Sequence, residues 1–261
     1  MTVAILLRRL QGRPSTASED EALGRCERAA LVTGQALAAA RNTDAIAIAV
    51  GPSRREDRVL AMALRAGCAR AVRISDDGLD ELDYLGLATV LAAAIRKVDA
   101  TCVICGDRAE EEGTGAIGPA VAELLDAAHL TGVIAVTMDK PDKTSRKGTL
   151  TAVRQADGTV GEFRVELPAV LCVRPSALSG RLGDDEPARP AKGTGIESFG
   201  LADLGIDLRA LGHRRGAAGR LRPVRGPRRT TMAASAADLV GRLRADHLVA
   251  TAPDPASGDD P

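Results

Sequence analysis

The chain has 261 residues, with 35 Lys+Arg against 35 Asp+Glu and a formal net charge of zero. That balance argues against a surface built throughout for nucleic acid or an anionic membrane, while 45% hydrophobic residues suffice to bury a core. Aromatic residues are confined to Tyr84, Phe163 and Phe199, so no base-stacking platform is expected and a flat cofactor would be held by backbone and aliphatic groups.

In chain order, Val3–Leu7 reads as a first, continuously apolar strand. It is too short for a signal-peptide core, and Arg8-Arg9 follows it instead of preceding it. No apolar run approaches the roughly 18 residues of a membrane span, so a cytoplasmic chain is expected. Ser18 or Asp20 is placed to cap a helix running to about Ala40, with Leu23, Cys26, Ala30 and Leu37 at helical spacing. Residues 44–50 form a second strand ended by Gly51-Pro52-Ser53. A helix over 55–66 closes on Gly67, and 71–74 is a third strand. A helix over 81–97 presents Leu85, Ala88, Leu91, Ala92 and Ile95 on one face, and 101–105 is a fourth strand. Such alternation predicts an α/β fold, a mainly parallel sheet covered by helices on both faces. After Leu130 a β-hairpin is expected, 149–154 and Thr159–Glu166 about Asp157-Gly158, followed by a strand at Ala169–Val173.

Beyond Arg174 the core signal fades. Residues 180–195 read as a loop or arm, and 209–229, from Arg209 to Arg229, holds eight Arg and no acidic residue. Ser235 and Asp238 form a capping-box pair opening a helix to about His247, with Leu239, Val240, Leu243 and Leu248 as a narrow apolar stripe. The predicted organisation is an α/β nucleotide-binding domain at 1–175, an irregular loop and basic arm at 176–234, a docking helix at 235–250 and a disordered tail at 251–261. From the residues alone, the last helix either docks on another subunit or folds back on its own sheet.

Five cysteines without a secretory signal are expected to be reduced thiols. Cys102 and Cys105 lie three apart on a strand and point to opposite faces, which argues against a metal or redox pair. His129, His213 and His247 lack zinc spacing. The segment with chemical potential is 106–119, a Gly-rich loop leading from the fourth strand into a helix that is expected to begin near Gly118 with Pro119 at its first position. Glycine backbone and a helix N-terminus suit a phosphate, although a purely structural turn is an equal reading and three consecutive glutamates oppose an anion. With Leu6 from the first strand and Val50 and Gly51 from the second, the candidate nucleotide site comprises Leu6, Val50, Gly51, Gly106, Gly113, Thr114, Gly115, Ala116 and Gly118.

These segments resemble the β subunit of electron transfer flavoproteins. Ala45-Ile-Ala-Ile-Ala-Val-Gly-Pro52 is similar to that family's V-x-V-G-P, and Leu64-Arg-Ala-Gly-Cys-Ala-Arg-Ala-Val72 to its A-L-A-M-G-A-D-R-A-V. Thr114, Gly115, Gly118, Pro119, Ala122, Glu123, Leu124 and Leu125 match its nucleotide loop, D-G-D-T-G-Q-V-G-P-x-x-A-E-L-L. Leu167-Pro-Ala-Val170, Asp203-Leu-Gly-Ile-Asp207 and Ala237-Asp-Leu-Val-Gly-Arg-Leu243 match its later motifs in order. The resemblance implies an adenine nucleotide alpha hydrolase-like fold. It also implies a heterodimer with a larger alpha subunit that holds the redox FAD, and AMP or a second FAD in this subunit. Electrons would pass from a donor dehydrogenase to a quinone reductase or another acceptor, with no catalytic side chain on this chain.

The departures point to a divergent paralogue. Gly113 stands where the family has the Asp before Thr, Ala116 replaces a Gln, and Asp107 replaces a basic residue. The partner loop over 178–192 lacks the family pattern, with Leu182 as a loose counterpart of its docking leucine. Similar paralogues accompany mycofactocin, a peptide-derived redox cofactor, in actinobacteria, and the Ala- and Arg-rich composition fits that source. Two other readings are a nucleotide-binding enzyme of the same fold and a nucleic-acid-binding module using Arg209–Arg229. The first lacks a Ser-Gly-Gly-x-Asp-Ser loop where Arg8-Arg9-Leu10-Gln11 stands, and the zero net charge weighs against the second.

Overall fold

The computed structural model describes residues 1–10, 23–51, 56–79, 82–111, 113–139, 148–178, 195–209, 211 and 231–249. The chain divides into two compact units, Met1–Ala217 and Ala218–Pro261. The first is an α/β unit with strands β1 (Val3–Leu7), β2 (Ala45–Val50), β3 (Arg70–Ile74), β4 (Cys102–Gly106), β5 (Ala128–Met138), β6 (Thr149–Ala156), β7 (Thr159–Glu166), β8 (Ala169–Val173) and β9 (Ile196–Phe199). Helices α1 (Arg25–Ala40), α2 (Asp57–Arg65), α3 (Tyr84–Lys97) and α4 (Ile117–Leu125) connect the early strands. The strands form one sheet in the order β7-β6-β5-β8-β4-β1-β2-β3-β9. Pairing is parallel from β5 through β9 and antiparallel only at β5–β6 and β6–β7.

The continuous apolarity of the inner strands follows from burial on both faces. Val3, Ile5 and Leu7 of β1 join one core cluster with Ala29, Ala30 and Leu37 of α1 and Val59 and Leu60 of α2. Ala4 and Leu6, pointing the other way, join a second cluster with Ala88, Leu91 and Ile95 of α3 and Val121 and Ala122 of α4. Cys102 and Cys105 separate between these clusters, as their spacing requires. Burial pushes the thiols of Cys68 and Cys102 up to about 12, so both behave as small hydrophobes. Among the described residues, no group of side chains could hold a metal ion, and no helix is long and apolar enough to cross a membrane.

Several expected boundaries move. Helix α1 is described from Arg25 after Gly24, and Leu23 before it is held in an isolated antiparallel bridge with Arg9; Ser18 and Asp20, the expected caps, lie outside the described residues. α3 starts at Tyr84, where the Asp83 carboxylate accepts hydrogen bonds from the N–H groups of Leu85 and Gly86 at 3.1 and 2.8 Å. α4 begins at Ile117, so Pro119 is its third residue and not its first. It remains in the first turn, where a missing N–H breaks no intrahelical bond. The hairpin turns on Asp157 and Gly158, both with positive φ (50° and 75°), the backbone that a two-residue hairpin connection favours.

Two strands are absent from the sequence-based expectation. β5 runs parallel to β8 over its first half and antiparallel to β6 over its second, with register shifts between. Its buried positions are therefore neither continuous nor alternating, and no period marks it. β9 falls in the stretch 176–234 that the sequence marks as irregular, yet it adds an edge strand beside β3. A bidentate fork from Arg70 to Glu197, at 2.7 and 2.9 Å, ties the two strands. The basic segment 212–229, including Arg214, Arg215, Arg228 and Arg229, lies outside the described residues, as do Leu182 and the tail 251–261.

The second unit contains one regular element among its described residues, α5 (Ala236–Ala245). Ser235 Oγ accepts from the N–H of Asp238 at 3.1 Å, and Asp238 Oδ2 accepts from the N–H of Ala234 at 2.9 Å. This closes the predicted cap one residue earlier than the usual capping box.

Candidate functional site

The strand order reverses between β4 and β1: β2 and β3 continue on one side of β1, and β4 and β8 lie on the other. α1 packs on one face of the sheet and α4 on the opposite face, so the chain leaves these two neighbouring strand ends in opposite directions. In open α/β sheets the crevice at such a reversal, outside the carboxyl ends of the strands, is where ligands bind. Val50 and Ile117 pack against the buried cluster that contains Leu6, and Leu6 is paired across to Ile48 of β2. Gly106 ends β4 beside Val173.

Within the loop, the glycines have different duties. Gly115 has no room for a side chain, because a Cβ would lie 2.9 Å from the Asp107 carbonyl oxygen. Thr114 holds the loop closed by accepting from the N–H of Ala109 at 2.9 Å through its own carbonyl. Gly113, with φ of 66°, opens onto free space. Ala116 caps α4 without a side-chain bond, which leaves the first-turn N–H groups without side-chain acceptors. Gly118 faces the sheet, where a Cβ would run into the Sγ atoms of Cys172 and Cys105. Its glycine is demanded by helix–sheet packing, and only its N–H is left for a ligand. Gly51 is likewise committed: its N–H donates to the Ile74 carbonyl at 3.0 Å, and its α-carbon seats the side chain of Glu56. Glu56 in turn accepts from the N–H of Arg9 at 3.1 Å, joining the ends of β1 and β2.

The α1 side of the crevice is acidic. Glu110 Oε2 accepts from the N–H of Arg25 at 3.0 Å, so a carboxylate already occupies the start of α1. Glu111 pairs with Arg8 at 3.4 Å, and Glu112 lies outside the described residues. Glu27, 9% exposed, has a buried Oε2 without a hydrogen-bond partner. Burial raises its pKa, Glu110 and Glu111 add to the rise, and Arg8 opposes it. The consequence for stability has a definite sign. The unfolded carboxyl ionises near its ordinary value of 4.5, whereas the folded one retains its proton to higher pH. Stability therefore falls as pH rises from 4.5 through the raised value and stays lower above it. Glu27→Gln is expected to stabilise the fold above that window by on the order of 1 kcal/mol, and to lose this advantage near pH 4. Urea unfolding of both proteins at the two ends of the window measures it. An advantage that persists undiminished at the acid end would assign the effect to packing.

Asp107, which the sequence marks only as a departure, is 8% exposed and fully engaged. Its Oδ1 accepts from the N–H of Gly132 at 2.7 Å and its Oδ2 from Arg174 Nε at 3.2 Å. The Gly132 N–H reaches it because β5 shifts register at this point with Gly132 at φ of 70°. Arg174, Gly132, Glu27 and Glu110 were missing from the sequence-derived site. Arg174 was within reach of sequence reasoning, since it directly follows the strand β8. Gly132 was not, because nothing marked β5.

The chain matches the family model described as the electron transfer flavoprotein domain over residues 16–204. It is 25% identical over 166 residues to the electron transfer flavoprotein subunit beta of Mycobacterium leprae (strain TN), covering 63% of this chain and 59% of that protein. It is 26% identical over 171 residues to the subunit of the same name from Methylophilus methylotrophus, covering 66% and 63%. Identity to protein FixA of Rhizobium meliloti (strain 1021) is 30% over 164 residues, covering 61% and 54%. The chain thus spans about three-fifths of the length of the curated relatives it matches.

Proposed function

The chain belongs to the electron transfer flavoprotein domain family, and on that premise we propose that it serves as the beta subunit of a heterodimeric electron carrier. Its partner in this reading is an alpha subunit that holds FAD, and this subunit itself takes AMP or a second FAD. A donor dehydrogenase loads the pair and a quinone reductase or another acceptor unloads it. One arrangement carries the proposal: the Gly113–Ala116 loop and the first turn of α4 stand at the reversal of strand order, beside the aliphatic wall of Leu6 and Val50.

These residues fit a phosphate on the α4 side. Gly115 is compelled to be glycine by the close Asp107 carbonyl, and the first-turn N–H groups of α4 supply donors. The α1 side does not fit one, because Glu110 already holds its first N–H and Glu27 and Glu111 stand nearby. A nucleotide would accordingly lean on α4, with Leu6 and Val50 against its base or ribose. The flavin supplies the electron chemistry when bound, and this chain contributes position and exclusion of water. Tyr84 and Phe163 are exposed and the Phe199 ring lies under Lys97 Nζ at 5.0 Å, so the aliphatic wall replaces aromatic stacking.

Assembly provides the test. Helix α5 carries Leu239, Val240 and Leu243, and its own unit has no other regular element, among the described residues, to cover them. Docking this stripe on the alpha subunit accounts for it. Truncation before Ser235 is expected to abolish co-purification of a co-expressed alpha subunit. The full chain is expected to yield a stoichiometric complex containing FAD. Complex formation that is unaffected by the truncation would remove α5 from the interface, and failure of the full chain to form any complex would remove the beta-subunit reading itself.

A further inference from the structure

On the hairpin side of the 106–118 loop lies a cavity of about 440 Å³, within the size range of small-molecule pockets. Its walls combine the guanidinium groups of Arg108, Arg154 and Arg174 with the backbone of Gly113, Gly115 and Gly132. They arrive from four places in the fold: the loop after β4, the register shift in β5, the end of β6 and the residue after β8. Two of the three arginines have a partner in Asp107, Arg174 at 3.2 Å and Arg108 at 3.9 Å. Both oxygens of that carboxylate are engaged, one of them by the Gly132 N–H.

Arg154 is different. Its Nε is buried without a hydrogen-bond partner, and among the described residues it forms no ion pair, although Asp157 also lines the cavity. Among the described residues of the loop, Glu110 and Glu111 engage Arg25 and Arg8, Asp107 is taken by Arg174 and Gly132, and Gly113 has no side chain. A partly buried guanidinium without a counter-ion has lost hydration and received no Coulomb attraction in return. Among the described lining residues three arginines stand against two aspartates, and a fork of parallel N–H donors matches the oxygens of an oxyanion. Glycines on the facing wall allow such an ion to approach the backbone closely.

We propose that this cavity binds a small oxyanion of the phosphate class, with Arg154 as its principal donor. The site lies on the hairpin side of the loop and shares Gly113 and Gly115 with the proposed nucleotide loop, but it requires neither a base nor a ribose. The anion is either free or the phosphate group of a larger metabolite, and the two sources are separable by titration.

The experiment is calorimetric titration of the full chain with inorganic phosphate, pyrophosphate and AMP, each at an ionic strength held constant with chloride. Saturable binding of inorganic phosphate is expected for the wild type. In Arg154→Gln the affinity is expected to fall by on the order of tenfold or more, and Arg154→Lys should recover only part of it, because the charge returns without the fork. AMP binding that is weakened by Gly115→Val but not by Arg154→Gln would show two independent sites. Tighter binding of pyrophosphate than of phosphate, lost together in Arg154→Gln, would identify the phosphate group of a larger molecule as the source. Absence of phosphate binding by the wild type overturns the proposal. So does equal affinity in the wild type and Arg154→Gln when circular dichroism shows both folded. If phosphate fails to bind and Arg154→Gln instead weakens association with an alpha subunit, the cavity receives a partner's carboxylate and the proposal is again overturned.

Discussion

Gly118→Val is expected to cost roughly 3 kcal/mol of folding stability, the upper part of the range for overpacked cores. The first side-chain carbon placed at this position runs into Cys172 Sγ and stands 3.1 Å from Cys105 Sγ. Neither sulfur can retreat easily. Cys105 and Cys172 face each other across the β4–β8 ladder, both are buried, and the strands that carry them lie inside the sheet. Helix α4 must therefore lift from the sheet, taking Val121 and Ala122 out of the second core cluster. Intrinsic propensity points the other way, since replacing a helical glycine by alanine gains about 1 kcal/mol when nothing is in the way. Urea denaturation of Gly118→Ala decides which effect wins. Destabilisation that is relieved in the Gly118→Ala, Cys172→Ala double variant identifies the sulfur contact. A net gain in the single alanine variant would show that α4 has slack at this point.

On the proposed beta-subunit reading, Gly115→Val is expected to reduce the adenine nucleotide content of the purified complex by roughly tenfold or more, while FAD is retained. The close contact here is with backbone, the Asp107 carbonyl oxygen at 2.9 Å, so no rotamer change relieves it. The loop must open instead, which strains the bond from Ala109 N–H to the Thr114 carbonyl and displaces the donors ahead of α4. Because a ligand that binds only the folded state stabilises it by mass action, added AMP should raise the wild-type melting temperature and leave that of the variant unchanged. Chromatography of the small molecules released on denaturation measures both flavin and AMP. A wild-type complex that releases FAD and no AMP would reduce the loop to a structural turn. In that case Glu27, Glu110 and Glu111 would mark a crevice that excludes phosphate.

The inner sheet, β1 to β4 with the helices between them, was legible from residues because burial on both faces leaves a local trace: short apolar runs separated by amphipathic helices. The hairpin was legible for a similar reason, since Asp157-Gly158 supplies the positive φ its turn needs. The position of the loop after β4, and the requirement for glycine at 115 and 118, could also be anticipated, although not the different reasons for the two glycines. Those reasons lie in atoms far away or facing inward, the Asp107 carbonyl for one and the Cys172 sulfur for the other.

The charged part of the site was decided by tertiary structure alone. Asp107 reads in sequence as a misfit in a phosphate loop, but it is neutralised by Arg174, 67 residues away, and by a Gly132 N–H that only the register shift of β5 delivers. Glu110 reads as one of three consecutive glutamates that oppose an anion, but it accepts from the N–H of Arg25, 85 residues away. Periodicity reports which side of an element is buried, and it carries no information on which distant element supplies the counter-charge. Sequence by itself determined the α/β scaffold and the position of the glycine-rich loop at the end of β4. Folding decided which charges cancel there, leaving an acidic face toward α1 and, on the hairpin, an Arg154 whose Nε has no partner among the described residues.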